Sequence, residues 1–121
     1  MSLIGKTIVV RGEVQTFDDL TIEGRIEGQI LGEGRAIVVA PGAEVTGDIL
    51  ADDITVFGRL TGQLVATDVV DLRADAEVSG QVISKRFILD EAANFRGRVE
   101  PQHLEAALRV ARFQQRKRHA N

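Results

Sequence analysis

The chain has 121 residues, 15 Lys and Arg, 18 Asp and Glu, and no cysteine, tryptophan or tyrosine. That length makes one domain, the missing cysteines exclude a disulfide scaffold or a zinc–thiolate site and fit a reducing compartment, and without tryptophan or tyrosine there are no sugar-stacking platforms. Residues 1–100 carry 10 Lys and Arg against 17 Asp and Glu, while residues 101–121 carry 5 against 1, so an acidic body that is unsuited to duplex nucleic acid as its main partner ends in a basic tail.

The chain opens on Met1-Ser2-Leu3-Ile4, too short for a signal peptide or a membrane span, and residues 1–7 are expected to be a flexible lead-in. Nor does any later stretch approach eighteen consecutive apolar residues. Next comes an incomplete apolar set, Ile8, Val10 and Val14 around Arg11-Gly12-Glu13. It mimics Ile22-Glu23-Gly24-Arg25-Ile26 and reads as a partial first turn that covers the N-terminal end.

From Leu20 the chain repeats itself. Five complete sets follow: Leu20, Ile22, Ile26, Ile30; Ile37, Val39, Val45, Ile49; Ile54, Val56, Leu60, Leu64; Val70, Leu72, Val78, Val82; and Phe87, Leu89, Phe95, Val99. Second members are 17, 17, 16 and 17 residues apart, and a glycine (Gly28, Gly47, Gly62, Gly80, Gly97) stands two residues before each last member. Within a set the steps are two, then four or six, then four, so every apolar side chain keeps the same strand face. The extra pair in the long sets is small or turn-like, as in Ala40-Pro41-Gly42-Ala43, and widens a corner without changing parity. Residues between the core positions are polar, as Glu23, Arg25, Glu27 and Gln29 are in the first set. A period of two with recurrent glycine excludes a helical repeat. The pattern predicts an all-β, single-domain solenoid of about six short triangular coils over residues 8–100, with the glycines at a tight corner.

The repeat stops at Pro101. In the tail, residues 101–121, Leu104, Leu108 and Ala111 recur at helical spacing with Ala107 and Phe113 nearby, and Arg109, Arg112, Arg116, Lys117 and Arg118 crowd the end. This predicts a short basic amphipathic helix folding over the last coil and shielding Val99 and Phe95. The same charge suits an acidic lipid surface or another chain's acidic rod.

Candidate chemistry is sparse. The histidines, His103 and His119, both lie in the tail, whereas transferases of the hexapeptide-repeat type present a histidine base on a coil. The near pairs among Asp18, Asp19, Asp52, Asp53, Asp68 and Asp71 read as solvated corner residues. No catalytic, cofactor or metal site is expected.

The chain resembles the bactofilins, polymer-forming bacterial cytoskeletal proteins. The resemblance rests on Ile4-Gly5-Lys6 with Val10-Arg11-Gly12-Glu13-Val14, on Asp19-Leu20-Thr21-Ile22-Glu23-Gly24-Arg25-Ile26-Glu27-Gly28-Gln29-Ile30, on Gly47-Asp48-Ile49-Leu50-Ala51 and Gly62-Gln63-Leu64-Val65-Ala66, and on Ala93-Asn94-Phe95-Arg96-Gly97. It covers residues 4–99 and not the tail. It implies a right-handed β-helix that assembles end to end into nucleotide-independent, non-polar filaments. It further implies a cytoplasmic scaffold for cell shape or protein localisation, at the inner face of the cytoplasmic membrane, with that membrane surface and cell-wall enzymes as partners. The alternatives are a monomeric solenoid adaptor and a hexapeptide-repeat-like transferase.

Both ends of an open solenoid expose strand edges and core side chains, which favours stacking. The end-face candidates are Ile8, Val10 and Val14 at one end and Phe87, Leu89, Phe95 and Val99 at the other. A separate column, Leu31, Leu50, Val65 and Ile83, follows the last core position of each set. Alternation turns it outward, with Gly32, Ala51, Ala66 and Ser84 inward, which makes an exposed apolar stripe for lateral bundling or membrane apposition; the alternative is that the chain bends here and the four side chains pack inside a corner.

Overall fold

A computed structural model describes residues 1–100. The tail after Glu100, and with it the expected helix over the last coil, lies outside the described residues.

Eight strands follow in order: β1 (Ser2–Ile4), β2 (Val9–Gln15), β3 (Leu20–Ile22), β4 (Arg25–Val39), β5 (Glu44–Val56), β6 (Arg59–Leu72), β7 (Glu77–Leu89) and β8 (Asn94–Val99). All pairings are parallel: β1 on β3, β2 and β3 on β4, and β4 through β8 each on the next. The chain is therefore a β-solenoid of about six coils in which each coil hydrogen-bonds only to its neighbours.

The register stacks the repeat on itself. Ile26, Val45, Leu60, Val78 and Phe95 form one column, and Ile30, Ile49, Leu64, Val82 and Val99 a second. Leu20, Ile37, Ile54, Val70 and Phe87 form a third, and Ile22, Val39, Val56, Leu72 and Leu89 a fourth. Every member of the first four complete sets is buried, and together these side chains make one continuous core. Each contributes roughly 1.5–3 kcal/mol by leaving water, which is how a narrow coil without disulfides holds together.

Two corners explain the path of the chain. At Gly47 the backbone takes φ +139°, and a Cβ there would overlap the carbonyl oxygen of Gly28 in the coil before it; Gly62 stands in the same relation to Gly47. Only glycine fits a corner where successive backbones stack this closely. The corner after the second column absorbs the differences in repeat length, with register shifts between Gly32 and Ala36, Ala51 and Asp53, and Ala66 and Val69.

Ion pairs zigzag along the outside from coil to coil. Arg11 meets Glu27 at 3.0 Å, Arg25 reaches Glu27 and Glu44 at 3.7 and 3.5 Å, and Arg59 bridges Glu44 and Glu77 at 3.4 and 2.9 Å. Exposed pairs of this kind contribute about 0–1 kcal/mol each, so they favour one register more than they hold the fold.

The first coil differs from expectation. Where a flexible lead-in is expected over residues 1–7, Ser2–Ile4 form β1, with Ile4 opposite Ile22. Val10 and Val14 lie opposite Ile26 and Ile30, four residues further along the repeat than Ile22 and Ile26. Gly12 accordingly joins the glycine corner opposite Gly28. The first set thus runs Ser2, Ile4, Val10, Val14, and polar Ser2 at its head disguises it. Ile8 consequently sits at a corner, not in the core column, and is exposed.

Candidate self-association faces

The C-terminal face is built from β8 and the last part of β7. β8 pairs with Glu77–Val82 on one side only, and Arg86–Leu89 pair with Val69–Leu72. Leu89 is 48% exposed although Leu72, Val56 and Val39 below it in the same column are fully buried. The side chain is the same kind in the same place; what differs is that, among the described residues, no further coil covers it. Phe87 and Phe95 partly fill the gap, their ring centroids 5.3 Å apart and tilted by 51°, and Val99 and Ala93 pack beside them against the core. Ile88, which points the other way, adds exposed apolar surface at the rim.

At the N-terminal face β1 and β2 likewise pair on one side only. Ile4, Val10 and Val14 are partly buried against the core. Ile4 belongs to this face and is absent from the sequence-derived set, because the two-residue spacing from Ser2 lacks an apolar first member. Ile8 lies off the face. Leu3, Val9 and Phe17 are exposed around it, Phe17 the most at 79%. One carboxylate ties down the lead-in: Asp18 accepts from the Met1 ammonium at 2.8 Å, and that contact, followed by the Asp19 amide, holds its carboxyl below the ordinary range.

The predicted lateral stripe is corrected by its burial. Leu31, Leu50, Val65 and Ile83 turn away from the main core, as alternation requires, and Ala51 and Ala66 take the inward places. Yet the four are 9, 3, 5 and 4% exposed and form a cluster of their own. They are a covered ladder, not an open lateral surface.

The corner aspartates are engaged as well. Asp19 accepts from the Ala36 amide at 2.9 Å, Asp52 from the Gly34 amide at 3.1 Å and the Thr67 hydroxyl at 2.6 Å, and Asp68 pairs with both ends of the Arg86 guanidinium at 3.0 Å. Each contact ties one coil to the next. Asp53 has a buried Oδ1 with no hydrogen-bond partner; burial first, then the carboxylates of Asp68 and Asp52, push its carboxyl above the ordinary range against the pull of Arg86. Among the described residues no group of three or more His, Cys, Asp or Glu is placed to hold a metal ion. No helix among them is long and apolar enough to cross a membrane. The described chain offers two apolar ends with unpaired strand edges, surfaces chemically suited to burial against like surfaces.

A family model described as bactofilin, polymer-forming cytoskeletal, matches residues 2–100. The chain is 34% identical over 99 residues to bactofilin BacO of Myxococcus xanthus, spanning 82% of this chain and 78% of BacO. It is 31% identical over 104 residues to bactofilin BacP of the same organism, spanning 86% of this chain and 43% of BacP. No solved structure gives a significant match.

Proposed function

The chain belongs to the bactofilin family, and from that premise we propose that it assembles end to end into filaments, without nucleotide or metal, and serves as a cytoskeletal scaffold. The observation that carries this reading is the exposure of Leu89 at 48% in a column whose inner members Ile22, Val39, Val56 and Leu72 are fully buried. A second coil laid on β8 would bury Leu89, Phe87, Phe95 and Val99 and satisfy the free edge at once. Ile4, Val10 and Val14 with the edges of β1 and β2 offer the same at the other end. Faces that meet like to like about a two-fold axis pair their edge strands antiparallel. Alternating N-to-N and C-to-C contacts then build an open filament with no polarity.

The cellular reading follows as a proposal of the same kind: a scaffold for cell shape or protein localisation, lying at the inner face of the cytoplasmic membrane and serving cell-wall enzymes. Negative-stain microscopy of the purified chain in plain buffer tests the assembly. Long filaments support it; uniform small particles whose light scattering does not change with concentration refute it and favour a monomeric adaptor.

A further inference from the structure

We propose that two copies meet at their C-terminal faces in a single register, in which Arg86 of each pairs with Asp90 of the other. This rests on end-to-end assembly through like faces and adds which residues lie opposite across the junction and what selects them.

The backbone permits few registers. The Asp90 amide donates to the Leu72 carbonyl of the coil below at 2.9 Å, and the amides of Asn94 and Glu100 donate to Ala76 and Val82 of that coil at 2.8 Å. Backbone groups alternate sides along a strand edge. Phe87 and Leu89 at the end of β7, and Phe95 and Val99 in β8, therefore carry the amides and carbonyls that point off the end of the rod. An antiparallel partner has to bring such residues opposite one another. A two-fold axis through Ile88 and Gly97 does so all round the coil. It sets Phe87 opposite Leu89 of the second copy and Phe95 opposite its Val99. Each ring then lies over a smaller aliphatic side chain, and Leu89, 48% exposed in the single chain, is covered.

Charge selects among the registers that remain. Arg86, Ile88 and Asp90 alternate with Phe87 and Leu89, so they form a row on the outer side of the same edge. The axis turns this row end for end. Arg86 comes opposite Asp90 of the second copy, Asp90 opposite its Arg86, and Ile88 meets Ile88 between them. Asp90 accepts from the Ala92 amide at 2.9 Å, and no ion pair among the described residues includes it. Arg86 gives Nε and Nη2 to Asp68 at 3.0 Å, which leaves Nη1 for a second carboxylate. Ile88, 49% exposed in the single chain, gains an apolar cover. A shift of two residues either way keeps the hydrogen bonds but sets Ile88 opposite Arg86 or opposite Asp90. Opposite charges facing across an antiparallel pair stabilise it, and like charges do the reverse. The like-charged pair in the favoured register, Arg96 opposite Arg98, is offset by Glu100, 3.4 Å from Arg98.

The chain has no cysteine, and Ile88 sits on the axis, so Ile88→Cys meets its own copy. Facing residues of an antiparallel pair that exchange no hydrogen bonds have Cα atoms about 4.5 Å apart, within reach of a disulfide. Oxidised full-length Ile88→Cys should run as a dimer on a non-reducing gel. It should close several-fold faster than Glu91→Cys, an exposed position at the same end but off the axis. The parent chain is imaged by negative stain alongside. Parent filaments with no Ile88→Cys dimer, or with equal rates for the two cysteines, overturn the register and leave end-to-end assembly standing. A parent without filaments and a variant without dimers overturn both. Asp90→Arg tests the charges by placing arginines opposite each other at the junction. Adding it to Ile88→Cys should slow closure several-fold, and an unchanged rate overturns the part given to Arg86 and Asp90.

Discussion

The rings of Phe87 and Phe95 lean on each other at 5.3 Å across the open end of the core, one from β7 and one from β8. Their aliphatic counterparts in earlier coils, Val70 and Val78, are roofed by the next coil; these two rings form the roof of the last. Phe95→Arg places a charge on that roof. Phe95 is only partly buried, so the coil loses about 1–2 kcal/mol, while a face that must exclude water gains a cation without a partner. The variant should keep its β-rich circular dichroism and cooperative melt and form no filaments longer than a pair. Filaments of normal length would remove Phe95 from the interface.

A block at one end distinguishes how the copies stack. If like faces meet, Phe95→Arg leaves the N-terminal contact intact and the chains stop at dimers. Val10→Asp should do the same from the other end, and the double variant should be monomeric. Head-to-tail stacking predicts monomers from either single change, because each contact needs both faces. Mass by light scattering at several concentrations decides between them.

The glycine corner makes a graded prediction. Gly62→Ala must place its Cβ where the Gly47 carbonyl oxygen sits and hold an alanine at φ +144°. The backbone strain alone costs about 1–3 kcal/mol, and the overlap adds to it by prising coils apart. Gly12→Ala faces the same backbone strain at φ +124°, and among the described residues nothing lies within 4 Å of the new methyl. In urea titrations Gly12→Ala should lose no more than the strain, and Gly62→Ala distinctly more or fail to fold. Equal losses would mean that strain, not stacking, demands glycine here.

The four core columns and the glycine corner were legible because both rest on the local rules of a strand: parity decides which side chains face in, and one residue type fits a corner packed against its own copy. Even the pairing of Ile26 with Val45, nineteen residues away, follows once the repeat is aligned. Ile4 was missed for a local reason, since Ser2 removes the first apolar member from its set. The burial of Leu31, Leu50, Val65 and Ile83 was left open by the sequence for a different one. Parity sends them outward, but whether an outward side chain meets water depends on what lies over it, and that is no property of the strand. Asp53 belongs with them: its carboxyl is raised by burial and by Asp68, which the next coil brings alongside.

Asp53 also makes the stability of the rod depend on pH. Burial and the carboxylates of Asp68 and Asp52 raise its folded carboxyl above the ordinary value of 3.8. A raised carboxyl is harder to ionise in the folded chain than in the unfolded one, so its neutral form is the one the fold favours. Below the ordinary value both states are protonated and nothing is lost. As pH rises through the raised value the folded chain must ionise Asp53 beside two other acids, and stability falls. Asp53→Asn keeps the shape, removes the charge and provides an N–H for the Asp68 carboxylate. The variant should melt higher than the parent near pH 7 and no differently near pH 3. The gap should open upward from the ordinary carboxylate range. A lower melting temperature near pH 7 would mean that the Arg86 guanidinium outweighs burial and the neighbouring acids, and that ionised Asp53 helps to hold β5 to β6 and β7.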